Sequence, residues 1–486
     1  MIAFCPNTPQ EASVSRVITI GPTPPEQLAY ALARYSRSPD SIRASLDWVR
    51  AHDSSKFLES FYFQYGHASI ADLGHLAVCF EGISEVAAIE IEDEQLWDGQ
   101  ARSSRYQDFS KSGFVTPPDF DAAQSAAYTA AGHALLAAYK EIHARASDHI
   151  AAALPRPESM KPDAYQRNIA ARAFDVARYL LFLGVPTGVG QVTSIRTLER
   201  QIRRWKASPF AEIRDLGHEA ASACAAPPAC AWDEESSNLR VAPTLAKYVD
   251  PDPYPAQARD DLKLWAEQNL PAAAGLAVPK VDLIQPNELT AEIAATLLYP
   301  VTDRPFRELY ELALSWPAAR RDEVIDLALR SKPRRDELLR EFRGGQFNYD
   351  MLIDIGAYRD MHRHRRCHQY RQEFVWSHGW DTPQTIIDAG LEPLYTSAME
   401  EARAVAATLP QPGAQYLTPF GVRGRFLFKM DFAEAEYISK LRSGVKGHFS
   451  YRDIAWQMKE RMMELNPSLG RLIDATPPWI EDPLVR

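Results

Sequence analysis

The sequence has little cysteine, no excess of positive charge and no long apolar segment, and each absence narrows what the protein can be. Its five cysteines are scattered, odd in number and form no CxxC pair, so we expect a reducing, cytoplasmic location rather than a disulfide framework. The net charge of −10 argues against general nucleic-acid binding. No run of about 18 apolar residues exists, so no membrane span is expected. Residues 1–16 lack the basic and apolar regions of a secretion signal.

The chain has 486 residues, and 46% of them are hydrophobic. A chain of this length is too long to fold around one ordinary hydrophobic core. Two or three domains are therefore expected. An apolar segment at 281–286 echoes one at 17–22, and similar elements follow each of them. These echoes predict an internal duplication with a period of about 265 residues. The predicted domains cover residues 1–235 and 281–486, joined by a linker at 236–280.

The spacing of apolar residues predicts a mixture of helices and strands. Strands are expected at 17–20, 76–83 and 347–355, where β-branched and alternating apolar residues are concentrated. Helices are expected where apolar residues recur three and four positions apart: 23–35, 41–51, 84–97, 121–153, 163–183, 194–206, 211–224, 292–299, 306–314, 318–329, 335–342 and 426–441. A last helix is expected after His448.

The densest charge lies in residues 358–371, where five arginines and three histidines accompany one acid. Arginine presents a planar fork of donors that suits phosphate and carboxylate, so this stretch predicts a pocket for an anionic ligand with several phosphates. Two other interpretations remain open. One is a solvated basic face. The other is a metal site formed by His364, Cys367 and His368 on one face of a helix, although the neighbouring arginines would repel a cation.

Short motifs recur in the same order in both halves. The second half has Arg363-His364-Arg365, then Leu441-Arg442 and His448. The first half has another set: His67-Ala68-Ser69, His75, Ser103-Ser104-Arg105-Tyr106, Arg178, Arg196, Arg203 and Arg204. In order and type these motifs resemble the flavin-dependent thymidylate synthases, the ThyX family, and the two partial matches together cover most of the chain.

Each half departs from that family pattern where the other half keeps it. In the first half, Asp93-Glu94-Gln95 stands in the place of Arg-His-Arg, and acids there would repel a pyrophosphate. Ala101 stands where the family has a glutamate. The second half has no Ser-x-Arg-Tyr, and Gln415 and Ala433 replace two of the family's arginines.

The resemblance implies an α+β fold of two tandem ThyX-like α/β domains, each with a small antiparallel-rich sheet flanked by helices. It implies an FAD-dependent methyltransferase of the thymidylate synthase type, acting in nucleotide biosynthesis. Such an enzyme transfers a one-carbon unit from methylenetetrahydrofolate to C5 of dUMP or a related pyrimidine nucleotide, and NADPH reduces the flavin. Because the family's tetramers share sites between subunits, the resemblance also implies a homodimer that forms a pseudo-tetramer. No nucleic-acid or membrane partner is implied.

The resemblance also implies a division of roles between the halves. Residues expected to bind the cofactor are Arg363, His364, Arg365, His67, Ser69, Arg196 and His448. Residues expected to bind the nucleotide are Ser103, Arg105, Tyr106, Arg178, Arg204 and Arg442. Ser103, Arg105 and Arg442 are also expected to act in catalysis. No metal ligand is expected, and Cys79 and Cys367 have no implied role.

Three hypotheses follow for the function. The first is a flavoenzyme of the thymidylate synthase type, and the second is a degenerate relative that binds flavin or nucleotide without that chemistry. The third is an unrelated metal-dependent hydrolase that uses His364 and His368. Structural explanations also remain open for single residues, since Tyr106 could belong to the core and Arg204 to a solvated face.

Overall fold

The computed structural model describes most of the chain. The described residues are 18, 20–21, 23–36, 38, 41–52, 70–105, 108–109, 111–231, 234, 238–244, 246–272, 279–333, 338–344, 346–482 and 484. The chain divides into two compact units. The smaller is Met1–Leu76 with Ser194–Arg196 and Ser222–Lys247, and the larger is Ala77–Thr193 with Thr197–Ala221 and Tyr248–Arg486.

The smaller unit contains two short helices, α1 (Pro25–Tyr35) and α2 (Ile42–Arg50). The rings of Tyr30 and Trp48 meet edge to face with centroids 5.6 Å apart. Arg34 Nη1 donates a hydrogen bond to Ser45 Oγ at 3.1 Å. These contacts join the apolar faces of both helices.

Seven strands are described along the chain: β1 (His75–Ser84), β2 (Trp97–Ala101), β3 (Pro186–Ser194), β4 (Val281–Ile284), β5 (Phe347–Asp354), β6 (His368–Arg371) and β7 (Arg423–Met430). The helices after α2 are α3 (Glu85–Glu92), α4 (Ala122–Ala153), α5 (Pro162–Ala177), α6 (Ile195–Lys206), α7 (Ala211–Ala225), α8 (Pro253–Asn269), α9 (Leu289–Leu298), α10 (Phe306–Ser315), α11 (Ala318–Leu329), α12 (Ile355–Met361), α13 (Gln384–Asp388), α14 (Glu392–Ala406), α15 (Phe432–Arg442), α16 (Phe449–Leu465) and α17 (Pro467–Gly470). Short 3₁₀ turns separate several of them.

The strands form two small sheets with the same internal order. The first sheet runs β1-β3-β2 and the second β4-β5-β7-β6, so β5, β7 and β6 repeat β1, β3 and β2. The pairs β2–β3, β4–β5, β5–β7 and β6–β7 are all antiparallel. Helix α3 follows β1, and helix α12 follows the equivalent strand β5. Both helices are short and mostly buried. The order of elements therefore repeats from one half of the chain to the other.

The two copies meet along a short bridge in the larger unit, where Phe182 pairs antiparallel with Pro419. Each hydrogen bond from one segment to the other has a counterpart in the opposite direction, as local twofold symmetry requires. The four bonds are Leu183 N to Thr418 O, Phe420 N to Leu181 O, Gly184 N to Tyr416 O and Gly421 N to Tyr179 O.

A buried hydrogen bond between a serine hydroxyl and a carboxylate lies at the start of both α3 and α12, at equivalent positions of the two copies. Ser84 caps α3 and its hydroxyl donates to Glu212 Oε2 at 2.6 Å. Asp354 caps α12 and accepts a hydrogen bond from the Ser450 hydroxyl. The hydroxyl and the carboxylate have therefore exchanged places between the copies. The predicted α+β class, with two tandem copies that each contain a small antiparallel sheet and flanking helices, is confirmed.

Several predicted element boundaries were wrong where the chain forms strands. The predicted helix at 426–441 begins as strand β7, and the predicted helix at 84–97 ends in β2. Both sides of β7 are buried, so its apolar run has no period that distinguishes a strand from a helix. No element was predicted between the helices at 163–183 and 194–206, yet β3 lies there as the central strand of its sheet.

The proposed metal-site geometry was also wrong. Helix α12 ends at Met361 and β6 begins at His368, so His364 and His368 do not share a helix face. Of the predicted strand at 17–20, Val17 and Thr19 lie outside the described residues, and the other two positions are not in a strand. Of the predicted helix at 335–342, only a 3₁₀ turn at 340–342 is described. None of the described helices is long and apolar enough to cross a bilayer.

Candidate active site

The arginine-rich stretch of the second half occupies α12 and the turn after it. Asp354 caps the start of α12 with its side chain. Arg363 lies in the turn after α12. The side-chain amide of Gln369 stabilises this turn by donating a hydrogen bond to the carbonyl oxygen of His364 at 2.7 Å. Residues of the first copy approach the same region, so the site is built from both copies within the larger unit.

Arg105 of the first copy is fixed by a two-pronged ion pair. Its Nε and Nη2 donate to the Oδ1 and Oδ2 atoms of Asp175 at 2.8 and 3.2 Å, and Asp175 is almost fully buried. Its Nη1 donates to the hydroxyl of Tyr451 in the second copy at 3.0 Å. Burial alone would lower the pKa of Arg105, but the hydrogen bond and charge of Asp175 raise it well above its usual value. The backbone N–H of Arg105 donates to Ser103 Oγ at 3.2 Å.

Arg178 of the first copy is the most deeply buried cation of the site, with a side chain 1% exposed. Its Nη1 donates to Asp360 Oδ2 at 3.2 Å, while Nε and Nη2 are buried without a hydrogen-bond partner among the described residues. A Cβ at Gly356 would lie 3.2 Å from Nη2, so glycine leaves room for this guanidinium. The Nε of Arg363 is likewise buried and unpartnered. Buried guanidinium donors without partners suit a bound anion such as phosphate.

Asp360 is the acid at the centre of this group. Burial raises the pKa of its carboxyl, but four nearby guanidinium groups outweigh burial and hold the pKa below its usual value. These groups, in order of effect, belong to Arg178, Arg363, Arg105 and Arg442. Asp360 is therefore ionised at neutral pH.

His364 links a carboxylate to Arg442. Arg442 Nε donates to His364 Nε2 at 2.7 Å, and a guanidinium can only donate, so the ring proton lies on Nδ1. Nδ1 faces Glu434 Oε1 at 3.6 Å. Burial lowers the pKa of His364, which is therefore neutral at pH 7. The pair of Glu434 and His364 orients Arg442, whose guanidinium also lies 5.7 Å from the ring centre of Tyr451.

Glu85 provides a buried acid at the edge of the site. Its Oε2 lies 2.6 Å from Arg359 Nη2, and Arg359 Nη1 donates to Ser104 Oγ at 3.1 Å. Burial raises the pKa of Glu85 to about 7, although Arg359 opposes this increase. Glu92 raises the pKa further, and Arg363 and Thr187 lower it. Glu85 thus titrates near neutral pH beside the Ser103–Arg105 segment.

The elevated pKa of Glu85 predicts a stability loss with rising pH. Between its unfolded pKa of 4.5 and its folded pKa of about 7, the folded chain binds more protons, so unfolding becomes easier as pH increases through this window. The difference between these two pKa values corresponds to on the order of 3 kcal/mol. Urea unfolding at pH 5 and pH 8 should show that E85Q loses this part of the slope. E141Q, an exposed acid on α4, should keep the wild-type slope, and an equal slope in E85Q would contradict the assignment.

The corresponding region of the first copy has the opposite charge pattern. Asp93 lies nine positions after Ser84, the N-cap of α3. Arg363 lies nine positions after Asp354, the N-cap of α12. Burial raises the pKa of Asp93, but Arg340 and Arg204 hold it well below its usual value. Three acids are paired with arginines here: Asp93 with Arg340, Glu90 with Arg371 and Glu94 with Arg204. The acids of this region are thus neutralised within the chain.

Three other arginines singled out from the sequence lie in different surroundings. Arg365 pairs with the exposed Asp98 at 2.8 Å, and its guanidinium lies 4.7 Å from the ring centre of Trp97. Arg204 belongs to the paired region of the first copy. Arg196 lies in the smaller unit, where it pairs with Asp72 at 3.1 Å. Of these three, none makes a described contact with Arg105, Arg178 or Arg363.

His448 uses both ring nitrogens within the fold. Its Nε2 donates to the carbonyl oxygen of Asp175 at 3.0 Å, and its Nδ1 accepts from the backbone N–H of Ser450 at 3.2 Å. Burial lowers the pKa of His448 far below its usual value, so the ring is neutral. His448 thereby holds the segment that carries Asp175, and a contact with a cofactor remains a prediction. His67, Ser69 and Tyr106 lie outside the described residues.

Sequence reasoning missed Asp175, Tyr451, Glu434 and Glu85. Asp175 precedes Arg178 by three positions, and Tyr451 follows His448 by three, which is the spacing of neighbours on one helix face. That spacing could have marked both residues as candidates, although it does not show which arginine each of them contacts. Glu85 carries no such signal, because its effect depends on burial against a residue of the other copy.

Together, the fold and the site define a duplicated α+β protein with one arginine-rich site assembled from both copies. A family model described as Thymidylate synthase complementing protein matches residues 19–226 and 285–468, one region in each half. The chain belongs to this family.

Relatives of this chain include two UPF0159 proteins. The one from Chlamydia muridarum is 25% identical over 430 residues, which cover 83% of this chain and 78% of the relative. The one from Thermoplasma acidophilum is 25% identical over 487 residues, which cover 91% and 93%. Among solved structures, flavin-dependent thymidylate synthase ThyX from Helicobacter pylori, complexed with FAD and dUMP, is 12% identical with a TM-score of 0.24. That match covers 41% of this chain and 89% of the ThyX chain.

Proposed function

We propose that this chain is an FAD-dependent enzyme of the thymidylate synthase type. It would transfer a one-carbon unit from methylenetetrahydrofolate to C5 of dUMP or a related pyrimidine nucleotide, with NADPH as reductant. The observation that supports this most is that Arg178 from the first copy and Arg363 from the second both act on the carboxyl of Asp360, and that both have buried donors without a partner among the described residues. Membership in the family is consistent with that use.

The two copies would have different roles in the site. Arg363 and Arg365 would hold the phosphates of FAD, with His364 beside them, because guanidinium forks match phosphate oxygens. His67, Ser69, Arg196 and His448 stay predicted cofactor contacts. When bound, the flavin supplies the hydride chemistry, which no side chain of this protein can perform alone.

The first copy would bind the nucleotide. Arg178 offers two free buried donors to an anionic group, while Arg105 is held rigidly by Asp175. Ser103 and Tyr106 belong to the same segment, and Arg204 stays a predicted contact. Arg442, oriented by His364, would face the uracil edge and stabilise negative charge that develops there.

A second candidate function is binding of flavin or nucleotide without thymidylate synthase activity. Ala101, which lies opposite Val189 in the first sheet, provides no carboxylate where the family has one. Arg105 already has a full set of partners within the chain. Both features favour a site whose chemistry has changed.

The domain boundaries at 235 and 281 and the assembly are part of the same proposal. With two copies per chain, two chains would give the homodimeric pseudo-tetramer that the family's shared sites require. Each dimer would then contain two working sites and two regions of the Asp93 type.

Anaerobic stopped-flow measurements test the proposed function. The protein is loaded with FAD, reduced with NADPH, and mixed with dUMP and methylenetetrahydrofolate. Flavin reoxidation without oxygen, together with dTMP formation, is expected only when both substrates are present. Reoxidation that needs neither substrate, with no methylated product, would contradict the activity and leave the second candidate.

A further inference from the structure

The centre of the arginine group already contains an anion, the carboxylate of Asp360. Its side chain is 15% exposed, and its Oδ2 accepts a hydrogen bond from Arg178 Nη1 at 3.2 Å. Arg178 is thus a nucleotide-site cation that already has an internal anionic partner. A phosphate that approaches the two free donors of Arg178 must share this guanidinium with Asp360.

The charge balance of the site depends on this residue. Asp175 neutralises Arg105 through two hydrogen bonds, and Asp360 neutralises Arg178 through one. A phosphomonoester carries nearly two negative charges at neutral pH, and a carboxylate beside it repels them. Two anions that share one set of cations cannot both be fully charged without a cost.

The comparison between copies shows that this position is acidic in both. Glu90 stands in the first copy where Asp360 stands in the second, and Glu90 Oε1 accepts a hydrogen bond from Arg371 Nη2. In the second copy the same position faces Arg178, which has two further buried donors without a partner in the described part of the chain.

We propose that Asp360 determines the charge of the ligand that this site accepts, by occupying part of the position of an anionic group. This inference rests on the proposed function, because the proposed function supplies the ligand, a pyrimidine nucleoside or nucleotide. Asp360 disfavours the phosphomonoester relative to the uncharged nucleoside, so dUMP gains little affinity from its phosphate. Removing the charge of Asp360 restores the preference for phosphate.

The test compares D360N with wild type by titration calorimetry on the full-length, FAD-loaded protein. The titrants are deoxyuridine, dUMP and inorganic phosphate. In wild type, dUMP should bind no more than about threefold tighter than deoxyuridine. In D360N, dUMP and inorganic phosphate should each bind at least about tenfold tighter than in wild type, with deoxyuridine almost unchanged.

Two further variants control for charge and for folding. D388N removes one exposed acid of equal charge from α13 and should behave as wild type. D360E keeps the charge and should keep the wild-type ratio of affinities, and melting temperatures show that each variant is folded. Unchanged or weaker phosphate and dUMP binding in D360N would overturn the proposal, and so would phosphate binding too weak to detect in both proteins.

This result is separate from the test of activity. If D360N gains phosphate affinity while neither protein forms dTMP, Asp360 sets the ligand charge and the proposed reaction is wrong. If dTMP forms but the affinity ratio does not change, the reaction holds and the role of Asp360 is wrong.

Discussion

Replacing Arg363 with alanine is expected to weaken FAD binding by about 10- to 100-fold. One charge-assisted hydrogen bond to a phosphate contributes about 1.5–3 kcal/mol when partly desolvated. Arg363 holds a buried Nε without a partner among the described residues, so the variant breaks no internal hydrogen bond of that atom. Reconstitution of apo-protein with FAD, followed by flavin fluorescence, gives the dissociation constant directly.

Arg366 is the matched control for that variant. It belongs to the same stretch and has the same charge, but it is exposed. R366A should keep FAD affinity within about threefold of wild type, since one solvated charge contributes little. Equal loss in both variants would show a general effect of charge. Equal retention would remove Arg363 from the cofactor site.

Replacing Arg178 with glutamine is expected to reduce dUMP affinity by about 100-fold, to below the affinity for deoxyuridine, while FAD affinity changes little. The variant removes two buried donors that are free for an anion, and it leaves Asp360 without its ion pair. Glutamine is chosen because Gln415 takes this position in the second copy, where it accepts a hydrogen bond from the backbone of Phe374. Titration of dUMP into FAD-loaded protein measures the effect.

An exposed ion pair provides the comparison for R178Q. Arg403 pairs with Glu400 on the surface of α14, so R403Q makes the same chemical change away from the site. It should leave dUMP affinity and the melting temperature almost unchanged. If R178Q lost FAD and dUMP together, Arg178 would support the whole site rather than the nucleotide part.

The repeat of elements was predictable because apolar segments and motif order survive in the sequence. Helix α4 has a clear period and an N-terminal capping box at Asp121 and Gln124, and its bounds were predicted almost to the residue. Strands β3 and β7 were not predictable. The alternating buried positions of β3 hold mostly polar residues, and β7 is buried on both sides, so neither shows an apolar–polar alternation in its sequence.

The arginines of the site were predictable from their types and order, but their partners were not. Arg105 and Arg178 were assigned to one ligand and Arg363 to another, and all three influence the single carboxyl of Asp360. The pair of Arg105 with Asp175 depends on how β2 and α5 pack, which no local pattern encodes. The surroundings of Glu85 are likewise not encoded locally. Burial raises the pKa of its carboxyl, and the charge of Arg359 opposes that increase.

The two copies carry opposite charges at equivalent positions, Arg363 in the second and Asp93 in the first. This difference accounts for the Arg-His-Arg motif standing in the second half alone. In the second copy, Arg363 retains a free donor for a ligand. In the corresponding region of the first copy, Asp93 pairs with Arg340 of the second copy at 2.5 Å. A buried ion pair that is complete within the fold no longer needs a ligand, and removing one partner would leave an uncompensated charge.

The ratio of flavin to chain tests this division most directly. FAD is released from the loaded, purified protein by denaturation and measured by absorbance, and the chain is measured by amino-acid analysis. One flavin per chain is expected, since the proposed flavin site lies in the region of Arg363 and the corresponding region of the first copy has Asp93 paired with Arg340. Two flavins per chain would require the region of Asp93 to bind flavin as well, and would contradict the division of roles between the copies.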